Sequence, residues 1–313
     1  MLIFIARRLL QAIPILFAVT ILVFLLVRLM PGDISDLLAP PNAPPEVRAQ
    51  IAAIYGLDRP IWVQYIDWIT QLLQGNFGTQ MGSGRPIAPE LLAAMSNTLK
   101  ITLFGALLGF AAGIALGALA AFGNNRWPDT MFSLVAIGGV SVPHYWLAML
   151  LVTFLSVQLN WLPAQGMGPS GLPITWAQWR FMLMPVATLS LIPMGVVGRI
   201  TRAAVLAVLS QEFVGALRMK GLLRPRIILH FARNAAPSVL AVMGLQFGYL
   251  LGGSILVETV FNWPGTGQLL NRAIFSRDLT TIQGTLLVLA FLFVLVNLAV
   301  DVCQGLLDPR MRR

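Results

Sequence analysis

Apolar residues fall along this chain in long runs separated by short polar stretches. Six runs stand out, at 9–27, 99–122, 132–159, 181–206, 239–261 and 281–307. Each meets the roughly 20 residues that cross about 30 Å of hydrocarbon at 1.5 Å per residue. The pattern predicts an all-α, polytopic membrane protein with six transmembrane helices in a single domain covering 1–313. Pro14, Pro185 and Pro193 fall inside runs and mark places where a span can kink. The first run follows Arg7 and Arg8, as a secretory leader would. Its length, and the lack of a small-x-small pattern at Arg28-Leu29-Met30-Pro31-Gly32, predict a retained span.

The stretches between the runs are unequal. The first, 31–98, opens with Pro31, Gly32 and Asp33, and Pro40, Pro41, Pro44 and Pro45 then forbid regular helix. A short helix is expected over 45–54, a turn at Gly56, and an amphipathic stretch over 57–73. That last stretch sets Trp62, Tyr65 and Trp68 three apart, aromatics suited to a membrane interface. The segment either caps one mouth of the bundle or docks a partner there. The 160–180 stretch carries Trp161, Trp176 and Trp179 and reads as interface-bound irregular chain. After Phe261 come Trp263, Pro264, Gly265, Thr266 and Gly267, a turn with tight backbone, then a helical pattern to Phe275.

The 209–236 stretch is the informative one. Helical pattern over 211–219 breaks at Gly221 and resumes over 227–234. Val214, Leu217 and Leu222 supply apolar contacts, with Arg218 and Lys220 beside them. A plain connection needs no such folded piece. The apolar residues either await a protein partner or pack on the chain's own helix ends, while the cations suit acidic partner groups or lipid head groups.

Composition supports the membrane reading. Charged residues are 11% of 313 and hydrophobic ones 57%, with mean hydropathy +0.79. Ordinary soluble domains carry about 25% charged residues, so a fully water-exposed surface and disorder are both excluded. Lys and Arg number 21 against 12 Asp and Glu, a net charge of +9. The basic residues sit between spans, so the charge sets topology and implies contact with membrane lipid, not nucleic acid. Arg7, Arg8, Arg126, the 209–236 stretch and Arg310, Arg312 and Arg313 share one side. The positive-inside rule places that side, with both termini, in the cytoplasm.

Catalytic signatures are missing. No GxxxxGK[ST] phosphate loop, HExxH or GxSxG occurs, and His144 and His230 lie far apart. No metal site or cofactor is expected in this chain. Cys303 is the single cysteine, read as a bystander in apolar surroundings. Glu258 and Asp301 lie near span interiors or ends. Glu258 is expected to make structural hydrogen bonds, and Asp301 to neutralise a basic neighbour. Gly105, Gly109, Gly113 and Gly117 recur at four-residue spacing, on one helix face, and predict a close helix crossing.

The segment from Phe213 through Val214, Gly215, Ala216, Leu217, Arg218, Met219, Lys220 and Gly221 to Leu222 resembles the coupling loop of a bacterial ABC importer permease. The resemblance is to inner-membrane permeases of dipeptide, oligopeptide and nickel importers, of the first-permease type. Arg28 to Asp33, Gly56 to Pro60, Gln64-Tyr65, Glu258 to Phe261, Pro264, Gly265, Gly267, Asn297, Asp301 and Asp308-Pro309-Arg310 resemble further family motifs, in the family's order. Two positions depart from it: Leu217 replaces a small residue, and the proline closing the loop stands one place early, at Pro237.

The resemblance implies a type I ABC importer permease fold in the bacterial inner membrane. It implies a second homologous permease, two cytoplasmic ATPases that bind ATP and Mg and dock on this loop, and an extracytoplasmic solute-binding protein. The chain would form half of a pathway for dipeptides or oligopeptides and perform no covalent chemistry. A nickel- or glutathione-importing member is the alternative. Outside the family, a stand-alone secondary transporter would need buried charges or broken helices, and a membrane scaffold would lack a partner ATPase.

Overall fold

The structure, a computed structural model, describes residues 2–29, 43–54, 56–81, 83–123, 127–169, 171, 173–221 and 223–307. Pro31, Gly32, Asp33, Leu222 and Asp308-Pro309-Arg310 lie outside the described residues. The described residues are all-α: α1 (Leu2–Arg28), α2 (Pro45–Ile54), α3 (Ile61–Leu73), α4 (Ala88–Phe122), α5 (Trp127–Ser141), α6 (His144–Leu151), α7 (Trp176–Leu209), α8 (Glu212–Met219), α9 (Arg224–Val260), α10 (Thr266–Ser276) and α11 (Leu279–Leu307). A π-helical stretch, Val152–Gln158, continues α6. An isolated antiparallel bridge joins Thr79 and Pro86.

Among these, α1, α4, α7, α9 and α11 are long and apolar enough to cross a membrane singly. The α5–α6 pair passes the same test only when its two helices are taken together, and it is bent by 101°, the shape of a broken span or a re-entrant loop. The apolar run at 132–159 reads as one unbroken span, and the bend has a local cause. Pro143 lacks a backbone N–H and disfavours helical backbone at Val142, so α5 stops at Ser141. Helix α6 restarts with Pro143 extended in front of it.

Two spans outrun their apolar cores. Helix α4 has 35 residues, roughly 50 Å at 1.5 Å per residue. Helix α9 has 37 residues and contains Pro237, so the second half of the 209–236 stretch is the first part of a span and not a separate helix. An internal proline removes one hydrogen bond, a loss that neighbouring packing in a membrane bundle tolerates.

Helices α4 and α7 pack along their lengths, and α9, α5 and α6 gather around α7. Of the most apolar stretch of α7, 61% is buried, against 17% for α1. Helix α7 is therefore the axis of the bundle, and α1 lies at its edge against α11. Ile101, Met184, Leu189, Val197, Leu250 and Trp263 belong to the largest buried cluster. Lipid tails are as apolar as these side chains, so close van der Waals packing holds this core more than expulsion of water does.

Candidate functional site

The glycine seam of α4 lies against α7. A Cβ added to Gly109 would come within 2.6 Å of the Ser190 carbonyl oxygen, and one on Gly113 within 2.8 Å of the Met194 carbonyl oxygen. At Gly105 it would meet Leu189, and at Gly117 it would enter the backbone of Gly198. Real Cβ atoms do not approach this closely, so the four glycines set how near the two helix axes lie.

At the end of α9 that adjoins α10, Glu258 is buried completely. Helix α10 begins there, and the first backbone N–H groups of any helix lack intrahelical partners. The Glu258 carboxylate supplies them: Oε2 accepts from the Gly267 N–H at 2.7 Å and the Gln268 N–H at 3.2 Å. Carboxyl oxygens at this place also complement the partial positive charge of the helix start. Oε1 accepts from the Thr98 hydroxyl of α4 at 2.7 Å. Thr98 in turn accepts from the Thr266 N–H at 2.8 Å. The Trp263 Nε1–H donates to the Asn97 carbonyl at 3.0 Å, and the Asn97 amide donates to the Pro264 carbonyl at 3.0 Å. One buried network thus ties α4, α9 and α10 together. Gly265 is required beside it, because a Cβ there would lie 2.5 Å from the Glu258 carboxyl group, and a Cβ on Gly267 would press on Ile255 and Glu258. The sequence singles out Glu258, Pro264, Gly265 and Gly267 but not Asn97 and Thr98. Their signal is a polar pair at the edge of the second apolar run.

At the opposite ends of α7 and α9, α8 leads into a turn at Lys220 and Gly221. Gly221 has φ +69°, in the left-handed region, where side chains are disfavoured. A Cβ there meets nothing within 4 Å, so backbone conformation, not crowding, asks for glycine. Val214 is buried with Val208, Ile227 and Phe231, and Leu217 packs on that cluster. Of the two readings of these apolar residues, Val214 and Leu217 follow the one in which they pack on the chain's own helix ends: α8 lays them on the ends of α7 and α9. Ala216 and Arg218 lie on the backbone of α8. The residues left bare are beside the turn: Met219 is 86% exposed and Leu223 69%, with Lys220 and Gly221 also exposed between them.

Two ion pairs brace this end of the bundle. Arg202 of α7 donates from Nε and Nη2 to the two carboxylate oxygens of Asp129 of α5, at 2.6 and 2.7 Å. Arg8 of α1 reaches Asp301 of α11 at 3.2 Å. The Arg202–Asp129 pair joins residues 73 apart in sequence, and no local spacing announces it. Among the described residues, no three His, Cys, Asp or Glu side chains gather as a metal site would require.

The close-packed α4–α7 seam, the Glu258 network and the folded turn with exposed Met219 and Leu223 describe a membrane bundle that many functions could use. Comparison with known proteins decides which. Residues 113–313 match the family described as binding-protein-dependent transport system inner membrane component. Residues 1–104 match its N-terminal companion family. The chain belongs to this family of permeases. It is accordingly a multi-pass inner-membrane subunit of an ABC importer.

Curated relatives agree over the full length. This permease is 41% identical to the glutathione transport system permease protein GsiC of Salmonella typhimurium, over 100% of this chain and 99% of that protein. It is 40% identical to the protein of the same name from Escherichia coli K12, with the same coverage. The fold resembles that of the MetNI methionine ABC transporter in an inward-facing conformation. That likeness has a TM-score of 0.57 at 18% identity and covers 70% of this chain and 96% of that one.

Proposed function

We propose that this permease is one half of an ATP-driven importer of glutathione or a closely related small peptide. Its pathway would be completed by a second homologous permease. The full-length likeness to permeases named for glutathione transport carries the reading. It favours glutathione over the dipeptides and oligopeptides that lead the reading of the sequence. Glutathione is itself a short peptide, so the chemistry of the cargo stays within one class.

In this reading an extracytoplasmic binding protein delivers the solute, and two ATPases dock on the segment α8–turn–start of α9. The bare Met219 and Leu223 on either side of the Gly221 turn support that docking place. Both apolar side chains meet water unless another protein covers them. Lys220 adds a surface charge, and exposed ion pairs contribute about 0–1 kcal/mol. Shape and apolar fit therefore outrank charge.

The test uses cells that express the complete system with its own binding protein. Labelled glutathione is expected to accumulate faster than labelled dialanine, and preference for dialanine would reverse the cargo assignment. Gly221→Val forces a β-branched residue into left-handed backbone. It is expected to leave the spans inserted but to cut uptake and ATPase retention roughly tenfold, the effect of about 1.4 kcal/mol. Lys220→Ala is expected to do much less. A severe Lys220→Ala defect beside normal Gly221→Val coupling would replace this docking surface with an electrostatic latch.

A further inference from the structure

Helix α3 packs on the Arg28 end of α1 and meets it at three levels. Gln64 Oε1 accepts from Arg28 Nη2 at 2.6 Å. Trp68 lies against Phe24, with ring centres 5.6 Å apart. Tyr65 reaches furthest along α1: its hydroxyl pairs with that of Thr20 at 2.8 Å, and its ring stands edge-on to Phe17. Thr20 precedes Arg28 by about 12 Å of helix at 1.5 Å per residue. Arg28 closes the apolar run of α1, so the Tyr65 hydroxyl sits at hydrocarbon depth.

These contacts orient α3. Around the helix, at about 100° per residue, Gln64, Trp68 and Tyr65 follow one another in that order. Their partners on α1 descend in the same order, from Arg28 through Phe24 to Thr20. The flank beyond Tyr65 therefore faces the middle of α1, and the flank before Gln64 faces its end. The next side chains beyond Tyr65 are Ile69, Trp62, Leu73 and Ile66. Trp62 is 64% exposed and Leu73 83%; Ile66 is exposed as well, and Ile69 half-buried. On the opposite flank, Asp67 and Gln71 line a cavity together with Gln64. A bare apolar stripe thus points into the bilayer, and a polar one points out of it.

The stripe continues a surface already in the membrane. Helix α1 is a span, and its Phe17, Leu22 and Leu25 are exposed. Phe17 is the very ring that Tyr65 touches. A second permease fits the stripe poorly. Close helix crossings in a membrane use small residues, as the α4–α7 seam does, and Trp62, Ile66, Ile69 and Leu73 include none. A water-borne binding protein would meet the polar flank first. Interfacial helices sink an apolar face about 5–10 Å into the boundary of head groups and acyl chains. We propose that α3 is such a helix, with Trp62, Ile66, Ile69 and Leu73 seated among lipid acyl chains. The segment that follows α1 is then anchored to the bilayer itself as well as to α1.

The experiment uses the intact complex of permeases and ATPases in phosphatidylcholine nanodiscs, with its other cysteines replaced. Nitroxide labels are placed singly at Ile66→Cys, Leu73→Cys and Gln71→Cys, and at Leu22→Cys as the lipid reference. Power-saturation EPR compares their collisions with oxygen, which enriches in the bilayer, and with a water-soluble nickel chelate. The ratio of oxygen to nickel collisions at Ile66 and Leu73 is expected to approach that at Leu22. It is expected to exceed the ratio at Gln71 about fivefold, the contrast between water and a depth of 5–10 Å. Free collision with nickel at Ile66 and Leu73 would place the stripe in water and overturn the proposal. Low collision with both reagents would mean that a protein surface covers it, which overturns the proposal too. Adding the binding protein is expected to leave the two labels unchanged, and a fall in oxygen collisions confined to them would assign the stripe to that protein instead. If the Ile66 variant does not assemble, Leu73, near the end of the helix, reads the same stripe and decides the outcome alone.

Discussion

Glu258 shows how one side chain can close a structure. Its carboxylate receives two helix-start N–H groups and a hydroxyl, and no water reaches it. Glu258→Gln keeps the size but sets an NH₂ group where an acceptor is needed. The Thr98 hydroxyl then loses its carboxyl acceptor and has to turn its proton to Thr266, a change of about 1–3 kcal/mol. Detergent-solubilised permease complex carrying Glu258→Gln is expected to unfold several degrees lower, read by loss of monodisperse complex on heating. Glycines provide a paired control. Gly265→Ala drives a methyl into the Glu258 carboxyl group, whereas Gly252, on the same helix α9 as Glu258, has nothing within 4 Å of a new Cβ. Gly265→Ala is expected to abolish assembly and Gly252→Ala to leave it intact. The same contrast separates Gly109, pressed on Ser190, from Gly138, which is open. Overpacking at Gly109→Ala is expected to cost about 1–3 kcal/mol, and equal stability of the Gly109 and Gly138 variants would show that the seam does not set the helix spacing.

At the scale of elements, the interrupted span is the distinctive piece. Val142 and Pro143 break it, and a bidentate ion pair from Arg202 holds the first half, α5, against α7. Pro143→Ala restores a backbone N–H and lets α5 run on into α6. Spin labels at Leu134 and Phe154, both exposed, in a Cys303→Ser background are expected to move further apart in that variant. An unchanged distance would mean that tertiary packing, not the proline, sets the bend. Asp129→Asn is expected to loosen α5 while leaving α6 in place, measured as faster amide exchange in α5 alone.

For the whole molecule, apolar runs in the sequence carry the all-α membrane class with five or six spans, because length and hydropathy are local properties. The permease family was also legible, since its motifs are short and occur in order. Three things were not. The 101° bend hides inside a run whose composition is uniformly apolar. The continuity of α9 through Pro237 contradicts the local rule for proline and is decided by packing around it. The Thr98 hydroxyl that Glu258 accepts from lies 160 residues away in sequence, the Asn97 amide lies 167 from the Pro264 carbonyl that it bonds, and no spacing rule reaches that far. Sidedness is an expectation that rests on charge alone. Single cysteines near Gly221 and Gly75, in a Cys303→Ser background, are expected to label from inside and outside respectively. Labelling of the Gly221 site by an impermeant reagent in sealed cells would invert the topology.

The length of α9 has a mechanical consequence. One uninterrupted rod of 37 residues, roughly 55 Å long, begins three residues after Gly221 and ends two residues after Glu258. A tilt of about 5° with one tip fixed swings the other by roughly 5 Å at that length. Labels at Leu229 and Leu256, both exposed on α9, should therefore keep their separation through the ATP cycle while each shifts relative to α1. Independent movement would place a hinge at Pro237. With the rod stiff, a push at the Gly221 turn needs no relay of side chains to reach the far face: the helix is a lever whose distant tip is already bolted, through Glu258, to α4 and α10.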